Sequence, residues 1–170
     1  MEDNPAKVRI VYKNMIIQEV AKTVHLASCA AAKQGKYVAF KDAYWPQGFD
    51  AYASAGDPSK IDEAAILTIA KNAGLDPAKL EADMHSEACK QAIMTDMAEL
   101  EKFNVDSTPT LFVNGTEVSG AQDESTFQQL IDQKLAAVQA SGVPAGQYYD
   151  KVIMTKGEKK FRSKKDAKPS

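Results

Sequence analysis

Cysteine, histidine and tryptophan are scarce in this 170-residue chain, which has two cysteines, two histidines and one tryptophan. The two cysteines, Cys29 and Cys89, lie far apart, so no Cys-x-x-Cys motif occurs anywhere. Exchange of disulfides at such a motif needs a nucleophilic thiolate and a second, nearby cysteine that resolves the mixed disulfide. The sequence therefore excludes Cys-x-x-Cys redox chemistry within this chain.

The few metal-binding residue types are also poorly placed for a metal site. The spacing of His25, Cys29, His85 and Cys89 fits no compact zinc finger or ribbon, so we predict no metal and no cofactor. His25 and Cys29 are four residues apart, which puts both on one face of a helix and allows a Cys-His pair. Plain helix packing explains the same spacing and is favoured, because nothing nearby in the sequence supplies a third, orienting residue.

Long apolar runs are absent as well. None approaches the ~20 residues of a membrane-spanning helix, and the start Met-Glu-Asp-Asn-Pro lacks the basic-then-apolar order of a secretory signal. With 44% hydrophobic residues, the chain can bury a core as one domain, for which we expect residues 1–155. Residues 156–170 carry seven Lys/Arg and two Asp/Glu, and this basic tail is expected to be disordered and solvated, or to meet an anionic surface.

The clearest local pattern runs from Val105 to Ala121. Thr108-Pro109 precedes a β-prone stretch from Thr110 to Val113, and Asn114-Gly115 follows it. Asn-Gly is the pair best suited to the positive φ angles of a two-residue type I′ turn, so the pattern predicts a β-hairpin. Proline is tolerated at the first position of a strand because no ladder hydrogen bond is lost there.

The rest of the chain is predicted to be mostly helical. Val8, Ile10 and Tyr12 alternate with polar residues and predict one strand over about residues 7–13. Apolar residues at helical spacing then predict helices over 18–33, from 37 with a break or kink at Pro46, 57–74, a short one from 76, 86–103, 125–140 and 148–154.

Five segments in this order resemble the DsbA-like thiol:disulfide oxidoreductase family. They are Asn4–Lys13, Cys29–Phe40 with its Gln-Gly-Lys, Met97–Val105, the Thr-Pro-Thr hairpin, and Ser119–Gln122 before the last amphipathic helix. The resemblance implies an α/β, thioredoxin-like fold with a large helical insertion at about residues 18–103. It also implies that the first β-α unit of the family, which carries the Cys-x-x-Cys, is missing.

The family resemblance assigns roles to two pairs of residues. Thr108 and Pro109 match the cis-proline loop, whose exposed backbone pairs with an extended substrate peptide, although the alternative that Pro109 merely starts the strand stays open. Cys29 matches one end of a second, non-catalytic bridge whose other end in the family falls nearer Asp83, so a structural disulfide between Cys29 and Cys89 stays an open alternative. The resemblance further implies a periplasmic or other extracytoplasmic location and unfolded or extended proteins as partners, without nucleic acid.

Absence of the first strand would leave two open edges in the sheet. Each unpaired buried backbone group costs about 1–3 kcal/mol, so we expect a homodimer, a strand-swapped assembly or direct pairing of the two edges. Two functions are predicted. The chain is the scaffold and substrate-peptide-binding part of such an oxidoreductase, inactive alone, or it is a redox-silent binding or structural module with the same fold.

Overall fold

The computed structural model describes residues 8–161. The chain divides into two compact units, Met1–Ala98 and Glu99–Ser170. Most of the described residues are helical, and the sheet within them is a two-stranded hairpin. None of the described helices is long and apolar enough to cross a membrane.

The first unit is built from helices. A 3₁₀ turn at Glu19–Ala21 leads into α1 (Lys22–Lys33), which is followed by α2 (Tyr37–Tyr44), a π-helical turn (Trp45–Phe49) and α3 (Asp50–Ala55). A second 3₁₀ turn, Pro58–Lys60, precedes α4 (Glu63–Asn72), α5 (Pro77–Met84) and α6 (Glu87–Lys102), the last of which continues into the second unit.

The core of the first unit depends on small side chains in α1. Ala27, Ala30 and Ala31 are completely buried, and α1 packs against α2, α4 and α5. A helix that presents alanine lets its neighbours approach closely, and larger side chains then fill the interior. The largest fully buried side chains are Phe40, Ile66, Leu80, Met84 and Cys89.

Pro46 changes the helix type without ending the helix. Proline lacks an amide hydrogen and its ring clashes with the carbonyl four residues earlier, and the wider π turn at Trp45–Phe49 accommodates it between α2 and α3. Gly48 in this turn is buried, and a Cβ atom there would lie 2.7 Å from the ring of Tyr44. Glycine is therefore required for the turn to pack against that ring.

Aspartate caps set the starts of three helices. Asp62, Asp76 and Asp123 accept hydrogen bonds from the backbone amides of Ala65, Lys79 and Thr126, and so begin α4, α5 and the helix Glu124–Ala140 (α7). The expected helix start at Asp57 is wrong. Its carboxylate instead accepts a hydrogen bond from the Ser59 amide and caps only the short 3₁₀ turn Pro58–Lys60. The α-helix does not continue directly from this turn.

The second unit contains the hairpin and the C-terminal helices. Strand β1 (Thr110–Val113) pairs antiparallel with β2 (Thr116–Ser119), and Asn114 and Gly115 both have positive φ angles of 45° and 83°. The predicted hairpin is thus confirmed. Next come α7 (Glu124–Ala140), α8 (Ala145–Tyr148), a π turn (Tyr149–Ile153) and α9 (Met154–Lys156).

The strand predicted for residues 7–13 is wrong for the described part of that segment. Residues 8–16 have no regular secondary structure, and no described strand pairs with them. A strand needs a ladder partner for its backbone, so alternation of apolar residues alone does not create one. Of the predicted basic tail, residues 162–170 lie outside the described residues.

Candidate functional site

The loop that contains Thr108 and Pro109 begins where α6 ends. Asn104 takes a left-handed conformation with φ of 54°, and the Val105 amide donates to the Leu100 carbonyl at 3.1 Å. Asparagine tolerates this conformation better than most residues, and the bond satisfies a carbonyl that the helix end would leave open. The chain is thereby directed out of α6 into the loop.

Two hydrogen bonds hold the loop on the hairpin. The Thr110 hydroxyl donates to the Ser107 carbonyl at 2.8 Å, and the Gly120 amide donates to the Pro109 carbonyl at 2.8 Å. The Thr108-Pro109 peptide bond between them is cis, and both residues are exposed. Within residues 8–161, the backbone N–H and C=O of Thr108 have no hydrogen-bond partner.

The surroundings of the hairpin are only partly buried. Phe103 packs against Phe112 with ring centroids 5.8 Å apart, and the Lys134 ammonium donates to the Thr116 hydroxyl. No described residue of the second unit is fully buried, and Leu111 and Phe112 are 40% and 43% exposed. The side chains of Leu111 and Phe112 are therefore only partly covered within the hairpin's own unit.

Asp123 fixes the start of α7 beside the hairpin. Its carboxylate accepts from the Thr126 amide at 2.7 Å and from the Ser125 hydroxyl at 2.8 Å. These bonds stabilise the charged form and hold the pKa of Asp123 below its ordinary value.

Cys29 and Cys89 form a disulfide, with an S–S distance of 2.06 Å and Cα atoms 5.7 Å apart. The bond joins α1 to α6 across the first unit. Cys89 is completely buried, whereas Cys29 is only partly buried and lines a cavity of about 340 Å³. Because both sulfurs are part of the disulfide, neither is a thiolate, and neither acts as a nucleophile in this state.

His25 has a hydrogen-bonded neighbour that the sequence did not reveal. Its Nδ1 lies 3.1 Å from the side-chain oxygen of Asn14, and the Asn14 amide nitrogen donates to Asp96 at 2.9 Å. Since the amide oxygen is an acceptor, His25 Nδ1 carries the hydrogen. Burial lowers the pKa of His25, which favours this neutral form.

The same contacts fix Asp96. Its carboxylate also accepts from the Asn14 backbone amide at 2.9 Å and from the Lys13 ammonium at 2.9 Å. Burial acts to raise the pKa of Asp96, but these hydrogen bonds and the charge of Lys13 outweigh it, and the pKa is lowered. The carboxylate thus anchors residues 13 and 14 to α6, and Asn14 orients the ring of His25, while Cys29 is bonded to Cys89 and forms no catalytic pair with it.

The polar residues after Cys29 attach the end of α1 to the α4–α5 segment. Gln34 makes two hydrogen bonds with the backbone of Asp76, and the Lys36 ammonium donates to the Gly74 carbonyl. Lys33 pairs with Asp83, and this contact, together with that of Lys79, lowers the pKa of Asp83. The signal in the sequence was a run of polar residues around Gly35, whose φ of 69° ends the helix.

The histidines and cysteines that could have bound a metal do not come together in one site. His85 Nε2 lies 2.9 Å from a Glu63 carboxylate oxygen, whereas His25 binds Asn14. Among residues 8–161, no group of three or more His, Cys, Asp and Glu side chains could hold a metal ion.

A family model described as Thioredoxin matches residues 2–133. This match covers most of the chain, which therefore belongs to the thioredoxin family, and its fold is thioredoxin-like with a helical insertion. Neither the curated proteins nor the solved structures contain a significant match to the chain.

Proposed function

We propose that the chain is the scaffold and substrate-peptide-binding part of a DsbA-like thiol:disulfide oxidoreductase. The observation that carries the proposal is the backbone of Thr108, an exposed residue, whose N–H and C=O have no partner within residues 8–161. An extended peptide that pairs with such a backbone gains main-chain hydrogen bonds, as in strand addition to a sheet edge. Thr108 and Pro109 are the substrate-binding residues in this proposal.

The loop is also held well enough to act as a preformed surface. The Ser107–Thr110 and Pro109–Gly120 hydrogen bonds fix both sides of Thr108. A loop fixed before binding loses less conformational entropy when a peptide docks. Because main-chain pairing does not read side chains, the expected partners are unfolded or extended proteins of varied sequence, in an extracytoplasmic compartment where disulfides persist.

The chain by itself does not catalyse disulfide exchange in this proposal. It holds no Cys-x-x-Cys, and its two cysteines, Cys29 and Cys89, are bonded to each other with 60 residues of separation. This supports, as a second candidate, a redox-silent binding module that uses the same loop. The two candidates share peptide binding and differ in whether a Cys-x-x-Cys works beside it.

Peptide binding is tested by NMR titration of the isotope-labelled full chain with an extended, cysteine-free peptide. We expect the largest amide shifts at Thr108 and Thr110. The matched control is the same peptide with alternate backbone nitrogens methylated, which removes its donors and should abolish the shifts. Equal binding of both peptides, or shifts centred on another surface, would reject backbone pairing at Thr108.

A variant tests the same contact from the side of the protein. Thr108→Pro removes the amide donor and is expected to weaken the peptide at least about fivefold, since one hydrogen bond contributes about 1 kcal/mol. Retained hairpin signals from Leu111 to Val118 would show that the fold is intact. Unchanged affinity in a folded Thr108→Pro chain contradicts the proposal.

We further propose that the chain forms a homodimer or exchanges its N-terminal segment between two copies. Ile10, Val11 and Tyr12 are 45%, 65% and 48% exposed in a segment that pairs with no described strand. Contiguous exposed apolar side chains favour association. A second copy covers them with an identical segment and also supplies backbone partners.

A further inference from the structure

The two cysteines of the disulfide differ in burial. Cys89 is completely buried on α6. Cys29 is only partly buried, and it lines an open cavity of about 340 Å³. A thiolate exchanges with a disulfide only at the sulfur it can reach. Attack at Cys89 would require opening of the core, whereas Cys29 lies at the wall of the cavity.

The cavity is half open to solvent and has room for a small molecule. Its volume falls within the ~300–1,000 Å³ of typical small-ligand pockets. Besides Cys29 its wall is formed by Tyr12, Asn14, Ser28, Ala32, Tyr37 and Val38. Hydroxyl and amide groups thus mix with apolar surface, and none of the described lining residues carries a charge. Such a wall suits a peptide-like molecule with both amide and hydrocarbon parts.

Two walls of the cavity are held in place. Tyr12 packs on Tyr37 with ring centroids 4.7 Å apart, and Asn14 is bonded to both His25 and Asp96. A cavity whose walls are fixed loses little entropy when a ligand enters. It is therefore formed before the thiol arrives.

We propose that Cys29 is a site of S-thiolation by a low-molecular-weight peptide thiol that enters this cavity. The thiolate sulfur bonds to Cys29 Sγ and the Sγ–Sγ bond breaks. The electron pair of that bond leaves on the Cys89 sulfur, which then takes a proton from water. The product is one mixed disulfide on Cys29 and one buried thiol on Cys89, and the reverse reaction restores the bridge and releases the small thiol.

This inference does not rest on the proposed function, because it concerns the first unit and a stoichiometric reaction. It gives the bridge a regulatory consequence, since thiolation disconnects α1 from α6. A disulfide stabilises a fold mainly by restricting the conformations of the unfolded chain. Opening this bridge therefore lowers the stability of the first unit.

Mapping of the adduct tests the site directly. The full chain is incubated with reduced glutathione as the probe thiol, free thiols are then alkylated under denaturing conditions, and the modified peptides are identified by mass spectrometry. We expect glutathione on Cys29 and the alkyl group on Cys89. Glutathione on Cys89, or on both cysteines equally, would overturn the proposal. The same reaction in urea should lose this preference, which would attribute it to the fold.

A cavity-filling variant tests the route of entry. Val38 is 54% exposed, so Val38→Trp is compatible with folding and narrows the cavity. We expect thiolation to slow at least about fivefold, because exchange rates depend on access to the attacked sulfur. Leu111→Trp, at a 40% exposed position of the hairpin, is the matched control and should react at the parent rate. Equal rates in the two variants, or a parent rate no faster than global unfolding measured by hydrogen exchange, would reject the cavity as the route.

Discussion

The side chain of Gln34 binds the backbone of Asp76 through two hydrogen bonds, each 3.0 Å long. The Gln34 amide nitrogen donates to the Asp76 carbonyl, and the Asp76 amide donates to the Gln34 side-chain oxygen. This pair fixes the end of α1 against the start of α5, next to the cap that Asp76 provides for α5. The Gln-Gly-Lys sequence that supported the family resemblance is thus a structural junction.

Replacement of Gln34 by alanine should destabilise the first unit. Both hydrogen bonds are lost, and we expect the free energy of unfolding to fall by about 1–2 kcal/mol. Urea unfolding followed by circular dichroism measures the change. Gln91→Ala is the control, because the Gln91 side chain is exposed and makes only a 3.4 Å contact with Thr95. Equal losses in the two variants would contradict the role of the Gln34–Asp76 pair.

Removal of the disulfide should have a larger effect. The bridge closes a loop of 60 residues, and the chain-entropy model gives about 4 kcal/mol for a loop of that size. We expect the Cys29→Ala/Cys89→Ala double variant to unfold at a clearly lower urea concentration than the oxidised parent. The reduced parent should resemble the double variant. An oxidised parent no more stable than the reduced one would show that the bridge does not stabilise the fold.

Loss of the Asp96 carboxylate charge should detach residues 13 and 14. Hydrogen bonds to a charged group contribute about 1.5–3 kcal/mol, so Asp96→Asn is expected to cost about 2 kcal/mol. The folded-state pKa of Asp96 is lowered from its ordinary 3.8, and its contribution is therefore present above that value and lost as the pH falls through the lower folded value. Asp50→Asn, at an exposed position of α3, is the control.

The acid limb of the stability curve provides the readout for Asp96. Parent stability should decline as the pH falls below about 4, and Asp96→Asn should show a shallower decline. Chemical denaturation at stepped pH values measures both curves. Parallel curves for the parent and Asp96→Asn would exclude the carboxylate as a source of this dependence.

The isolated chain should show no catalytic turnover of disulfides. The chain has no Cys-x-x-Cys, and resolution of a Cys29 adduct by Cys89 only restores the original bridge, so no substrate disulfide is turned over in repeated cycles. Insulin reduction and oxidation of a reduced test protein are the two assays. Turnover that disappears in Cys29→Ser would reverse this conclusion.

Association of two copies is the remaining prediction. Light scattering at micromolar concentration should report about twice the 18.5 kDa chain mass. Val11→Lys places a charge at a 65% exposed apolar position and should shift the population toward monomer. A parent chain that is monomeric, with amides of Val8 to Tyr12 protected from exchange, would exclude the dimer.

The helices and the hairpin were predictable because local rules determine them. Asn114-Gly115 demanded a type I′ turn, and Asp76-Pro77 combined a cap with a proline at the first helical position. Prediction failed where a local pattern was ambiguous. Asp57-Pro58 predicted a helix start, but Asp57 caps only a 3₁₀ turn, and α4 begins after Asp62.

The sequence by itself determined which segments are helical, where the hairpin turns, and that no Cys-x-x-Cys chemistry runs in the chain. Only the tertiary structure decided that Val8 to Lys13 is not a strand, because a strand exists through a partner and not through its own alternation. It also decided that Asn14 joins His25 to Asp96, residues separated by most of the first unit in sequence. Strand pairing and hydrogen bonds between distant residues depend on distances in space, and the spacing of residues along the chain does not specify those distances.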